Sequence, residues 1–214
     1  YFKKSKKVFV IDSGCSDETG DLNINKALSK NFADSPATFP RPAWYDGYGH
    51  GTHVAGIIAA IDNHIGVVGV VPGAEIVCVR VLDSNGVGYV SSVIDGINYA
   101  AQVGRSDDVI NLSLWTNFVV PSFNDAIANV ATNNGFKIAI AAGNGYGANA
   151  SDYSPASAEG PNISTVACCS TATSLSDSQM CDFSNVGAPP IDFIAPGLDI
   201  LSLGTSYGGT ATMR

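Results

Sequence analysis

The sequence predicts a three-layer α/β fold, a mostly parallel sheet with helices on both faces, and three observations carry that prediction. Short apolar runs rich in β-branched residues stand at 8–11, 76–81, 109–114, 138–142 and 163–167, as expected of strands buried on both faces. Helix-period segments lie between them, at 52–61, 90–103 and 123–131. Glycines such as Gly66, Gly86, Gly104, Gly135 and Gly143 mark nearly every junction.

Taken in order, residues 8–11 read Val-Phe-Val-Ile and deliver Asp12 at their C-terminal end. Segment 52–61 carries small and apolar residues throughout and so is suited to close packing. Segment 90–103 places Val90, Val93, Ile94, Ile97 and Ala101 on one face, and 123–131 repeats that pattern. In a parallel sheet, sites form outside the C-terminal strand ends, where Asp12, Ser113 and Asn144 fall.

Composition narrows the function. A chain of 214 residues, 45% hydrophobic and 14% charged, can bury one sizeable core, and residues 1–214 are expected to form a single domain. The net charge of −8 argues against nucleic acid as a partner, because phosphate binding needs a concentrated positive face. The run Lys3-Lys4-Ser5-Lys6-Lys7 is read as a solvated approach to the first strand. No apolar stretch reaches the ~18 residues of a membrane span. Tyr1 stands almost directly before the first strand with no signal peptide in view, so a cut N-terminus is expected.

Five cysteines are too few for a disulfide scaffold and lack zinc-site spacing. Cys168 or Cys169 could pair with Cys181 in an oxidising compartment, whereas the apolar surroundings of Cys15 and Cys78 suggest buried free thiols. Asn149-Ala150-Ser151 and Asn162-Ile163-Ser164 are candidate glycosylation sequons in polar stretches.

Two motifs carry the chemistry. An acid directly after a buried strand, Asp12-Ser13-Gly14, can hold an imidazole in one tautomer; alone, it also reads as a turn or cap. His50-Gly51-Thr52-His53-Val54-Ala55-Gly56 is more specific, an imidazole at a helix start followed by small residues. Zinc is disfavoured, since His50 and His53 lack the spacing and the intervening glutamate of a helical metalloprotease. A nucleotide-binding enzyme is disfavoured too, because no Gly-x-Gly-x-x-Gly run follows the first strand.

These segments, with Asp preceding His in the chain, resemble the subtilisin-like serine proteases, whose triad runs Asp, His, Ser. The resemblance implies a serine-type endopeptidase acting on protein or peptide substrates, with Asp12 orienting His50 and His53 a packed or hydrogen-bonding neighbour. Ile138-Ala139-Ile140-Ala141-Ala142-Gly143-Asn144-Gly145 is similar to the family's strand ending in the oxyanion asparagine, which makes Asn144 the oxyanion donor. Leu112, Ser113 and Leu114 with Ala141, Ala142 and Gly143 would flank the primary specificity pocket. Gly86, Val87 and Gly88 would pair with an extended substrate backbone. With Ala156 as floor and no acid nearby, that pocket is expected to take large apolar or aromatic side chains, although Trp115 stands where the family usually has Gly.

The same resemblance implies a structural calcium ion held by Asp21, the Asn63 side chain and the carbonyls of Ile61, Ile65 and Val67. It also implies a secreted enzyme and an N-terminal inhibitory propeptide in the precursor. Gly204-Thr205-Ser206 comes too soon after Ala195-Pro196-Gly197 to be the family's nucleophile motif. Tyr207 to Met213 is similar to the loop preceding that motif, so the chain is expected to be truncated at both ends, with the nucleophile serine beyond Arg214. The alternative is a non-catalytic protein of the same fold that binds peptides.

Overall fold

The computed structural model describes residues 6–33, 41–170, 179–206 and 208–213. The Lys3 to Ser5 part of the basic run, Tyr207 and Arg214 lie outside the described residues. In chain order the elements are β1 (Lys7–Asp12), β2 (Asn23–Ile24), β3 (Lys30–Asn31), α1 (His50–Ala59), β4 (Glu75–Arg80), α2 (Val90–Val103) and β5 (Val109–Leu112). There follow α3 (Pro121–Asn133), β6 (Lys137–Ala141), β7 (Ile163–Cys169), β8 (Ile191–Pro196), β9 (Ile200–Leu203) and β10 (Thr210–Met213).

The main sheet runs β2-β4-β1-β5-β6-β7-β8, with β3 also on β4, and its paired strands are parallel. Strand β1 is central because Lys7 to Asp12 is buried throughout, so both of its faces need a covering layer. Alternate residues separate the layers. Phe9, Ile11, Val77 and Val79 pack with Val93 and Ile97 of α2 and Phe123 and Ile127 of α3, whereas Val8, Val10, Ile76 and Cys78 pack with Ala55 and Ala59 of α1. The three-layer expectation therefore holds.

Local chemistry explains the element ends. Pro121 opens α3, where a missing N–H costs nothing, and the backbone N–H of Gly104 closes α2 on Ala100. Lys6 and Lys7 are paired with Asp107 and Asp108, the latter a buried contact of 3.0 Å. The foot of the basic run is thus neutralised at the edge of β5.

Two sequence expectations are corrected. Cys15 and Cys78 are not free thiols: they form a disulfide across 63 residues, tying the turn after β1 to β4. Apolar surroundings suit a buried disulfide as well as a buried thiol, so burial alone could not decide. Cys168 pairs with Cys181, leaving Cys169 as a buried free cysteine. In addition, Thr210–Met213 is no loop but pairs antiparallel with β9, Met213 opposite Ile200. Among the described residues no helix is long and apolar enough to cross a membrane.

Candidate active site

The strand order turns about β1, with β4 on one side and β5 on the other, so a crevice opens at the C-terminal end of β1. Asp12 sits there fully buried, and His50, the first residue of α1, faces it. His50 Nδ1 lies 2.9 Å from each Asp12 carboxylate oxygen. A carboxylate can only accept, so Nδ1 carries the proton and Nε2 keeps a lone pair. Ser13 N donates to Asp12 Oδ1 at 2.7 Å and fixes the carboxylate from behind.

The approach of α1 to β1 depends on small residues and on a polar network. At Gly51 a Cβ would fall 2.1 Å from the Gly14 carbonyl oxygen, so a side chain there would push His50 off Asp12. The buried Asp46 carboxylate takes the place of an N-cap. It accepts from Gly49 N, Tyr48 N and Ser13 Oγ on one oxygen, and from Thr52 N and Thr52 Oγ1 on the other. Gly51 N in turn donates to Ser13 Oγ at 3.0 Å.

Burial alone would lower the His50 pKa; the Asp12 hydrogen bond and charge, with the Asp46 charge, outweigh it and raise the imidazole above its usual value. His53 goes the other way, with desolvation holding its pKa below the usual value. The His53 ring makes a 2.9 Å hydrogen bond with the Ile200 carbonyl, and its own carbonyl accepts from Ser202 Oγ. It joins α1 to β9.

A cavity of about 340 Å³ opens beside His50 and is lined by Ser113, Ala141, Ala142, Gly143, Asn144 and Met213, among others. Asn144 is exposed there, just after β6. Gly143 turns the chain with φ 97°, and Asn185 fixes the turn: its Nδ2 donates to Ala142 O at 2.8 Å and its Oδ1 accepts from Gly145 N at 2.7 Å. Gly86 lies against the Tyr48 ring, which stands 6.3 Å from the His50 ring, so the 86–88 segment borders the same region; Val87 is exposed. Leu112 points into the core and Leu114 packs against it. The Leu112 side chain is therefore closed to a substrate.

Ser206 is exposed in the turn between β9 and β10, its carbonyl accepting from Gly209 N, and it is not among the described residues lining the cavity. Asp46, Ser13, Thr52 and Asn185 are the contributors that the sequence reading missed. Asp46 stands four residues before His50 in an otherwise glycine- and aromatic-rich stretch. That lone acid was the available signal.

The calcium residues form a second cluster. Asp21 is fully buried, its carbonyl accepts from Ile61 N, and its Oδ1 accepts from Asn63 Nδ2 at 2.7 Å. Asp21 Oδ2 has no hydrogen-bond partner among the described residues, and a buried carboxylate oxygen left that way suits a cation. Asn63 Oδ1 accepts from Ile65 N, so this amide must turn over to present its oxygen to a metal. Asp21 and Asn63 are thus brought together, while no group of three or more His, Cys, Asp or Glu side chains that could hold a metal stands among the described residues.

The Subtilase family model matches residues 3–213. Subtilisin amylosacchariticus of Bacillus subtilis subsp. amylosacchariticus is 38% identical over 213 residues, 98% of this chain and 51% of its own length. The Major intracellular serine protease of Bacillus subtilis (strain 168) is 39% identical over 201 residues, 93% of this chain and 60% of its own. A cold-adapted subtilisin-like serine proteinase of known structure superposes with a TM-score of 0.75 at 32% identity, covering 98% of this chain and 68% of that one. The chain spans about half the length of several curated relatives it matches. A match over nearly every residue, together with an imidazole on a buried acid at the sheet's switch point, places this chain in the Subtilase family.

Proposed function

We propose that the protein is a serine endopeptidase that cleaves peptide bonds through an Asp-His-Ser triad whose serine follows residue 214. The observation that carries this reading is the contact of His50 Nδ1 with both Asp12 oxygens at 2.9 Å. With Nδ1–H held by Asp12, Nε2 is the base that takes the serine proton as the hydroxyl attacks the scissile carbonyl, and Asp12 stabilises the imidazolium that forms. His50 then returns the proton to the leaving amine. Water repeats the sequence on the acyl-enzyme.

Asn144 donates to the oxyanion of the tetrahedral intermediate, and Asn185 keeps its turn in place. The edge at Gly86, Val87 and Gly88 binds substrate backbone by strand addition, and Ser113 with Ala141, Ala142 and Gly143 borders the side-chain pocket. Ser206 has no part in the chemistry. Its place in the β9–β10 turn, away from the residues lining the cavity, supports that assignment.

Calcium belongs to the same reading as a structural ion at Asp21, Asn63 and the carbonyls of Ile61, Ile65 and Val67. When bound it would neutralise the buried Asp21 carboxylate and tie the 61–67 loop to it. A secreted enzyme with an inhibitory propeptide is the matching biological setting. The disulfides Cys15–Cys78 and Cys168–Cys181 favour an oxidising compartment, while a relative of similar identity bears the name of an intracellular protease.

The test is peptide hydrolysis by the full-length protein. Asn144→Ala should lower kcat by about a hundredfold with little change in KM, because an oxyanion donor acts mainly in the transition state. Hydrolysis unaffected by His50→Ala would refute the triad.

A further inference from the structure

Strands β5 and β6 are paired as far as Leu112 opposite Ile140, so the segments that leave them, Ser113-Leu114-Trp115 and Ala141-Ala142-Gly143, face each other across the pocket mouth. The Trp115 indole bridges that gap. It lies so close to the opposite wall that a Cβ on Gly143 would stand 3.4 Å from Trp115 Cε3. Its other neighbour is the Tyr153 ring, met edge-on with centroids 5.4 Å apart and planes at 62°.

The two rings are held by a clamp of hydrogen bonds. Thr116 N and Oγ1 donate to the Ser154 carbonyl at 2.8 and 2.9 Å, and Val120 N donates to Ser154 Oγ at 2.8 Å. Ser154 is fully buried. The segment after Trp115 is therefore fixed to the residue after Tyr153, and edge-to-face pairing adds a preferred geometry to the two rings. Trp115 remains 39% exposed, so the indole is not a core residue.

We propose that Trp115 determines specificity by occupying, with Tyr153 behind it, the slot between the two walls, so that the residue before the scissile bond must carry a small side chain. This rests on the peptidase reading above. Small wall residues alone pointed to large apolar or aromatic side chains, but the indole stands within van der Waals reach of the Gly143 wall. A side chain the size of Ala or Ser passes beside the ring, whereas a Phe ring would have to displace it from both Gly143 and Tyr153.

The experiment is a set of chromogenic peptides differing only in the residue before the scissile bond, Ala, Leu or Phe, with the full-length protein. Wild type should favour Ala over Phe. Trp115→Gly and Trp115→Ala should each raise kcat/KM for Phe relative to Ala by about a hundredfold, the scale on which side-chain volume is discriminated in an apolar pocket. A wild-type preference for Phe overturns the proposal without any variant. So does an unchanged ratio in a Trp115 variant that melts like wild type. Failure to cleave any of the peptides, or any protein substrate, refutes the peptidase reading itself, and the specificity proposal with it.

Discussion

Asp46 Oδ2 accepts hydrogen bonds from both the backbone N–H and the hydroxyl of Thr52, at 2.8 and 2.6 Å. Through its other oxygen it holds Gly49 N and Ser13 Oγ, so one carboxylate joins the first turn of α1 to the turn that follows Asp12. This joint holds the first turn of α1, and with it His50, against the turn that follows Asp12. Asp46→Ala strands several buried donors and should cost about 3 kcal/mol, combining a lost cap with unsatisfied N–H groups. Thermal melts should show the loss, and kcat should fall with it. A variant with wild-type stability and kcat would show that the network holds nothing in place.

The acid limb of the pH profile should report His50. Burial depresses its pKa, but Asp12 and Asp46 raise it further, so kcat/KM should climb with pH through a value above the ordinary imidazole figure of about 6.5. Asp46→Asn removes one of the raising charges and should move that limb to lower pH. Stability runs the opposite way to activity. A histidine whose folded pKa is raised contributes stability in full below its unfolded pKa and loses it as pH rises through the folded value. An acid limb below 6.5 would contradict the Asp12 and Asp46 contributions.

The central fold was readable because its signals are local. The β-branched runs gave β1, β4, β5, β6 and β7, and the periodicity of residues 90–103 matches α2 to the residue. Strands β2 and β3 span two residues each and carry no periodicity to read. Strand β8 is an edge strand with Phe193 and Ile194 exposed, so its pattern lacks the burial that marks the others. Strand β10 reads as a polar loop until β9 pairs with it.

Within the site, Asp12, His50 and Asn144 were readable as candidates because Asp12 closes β1, His50 opens α1 and Asn144 stands just after β6. Asp46 and Asn185 were not, since the link of Asp46 to Ser13 Oγ, 33 positions away, and both partners of Asn185 are brought near only by folding. Gly145 and Asn185, for example, stand 40 positions apart. The Cys15–Cys78 disulfide is another long-range fact of this kind, closing 63 residues that no local pattern connects.

Calcium should raise the melting temperature of the full-length protein, and a chelator should reverse the rise, because an ion that binds only the folded state stabilises it by mass action. At a calcium concentration about a hundred times Kd, the gain is about 2.7 kcal/mol. Asp21→Asn removes the buried carboxylate and should abolish most of it. The same melt in calcium and in chelator would show that Asp21 and Asn63 bind no ion.

The most direct test of the central claim is labelling of the full-length protein with a serine-directed fluorophosphonate, followed by peptide mapping. The reagent needs an activated serine and an oxyanion site. One serine beyond residue 214 should be labelled stoichiometrically, His50→Ala should abolish the labelling, and Ser206→Ala should leave it intact. Labelling at Ser206 that disappears in His50→Ala, or no labelling of wild type at all, would contradict the account.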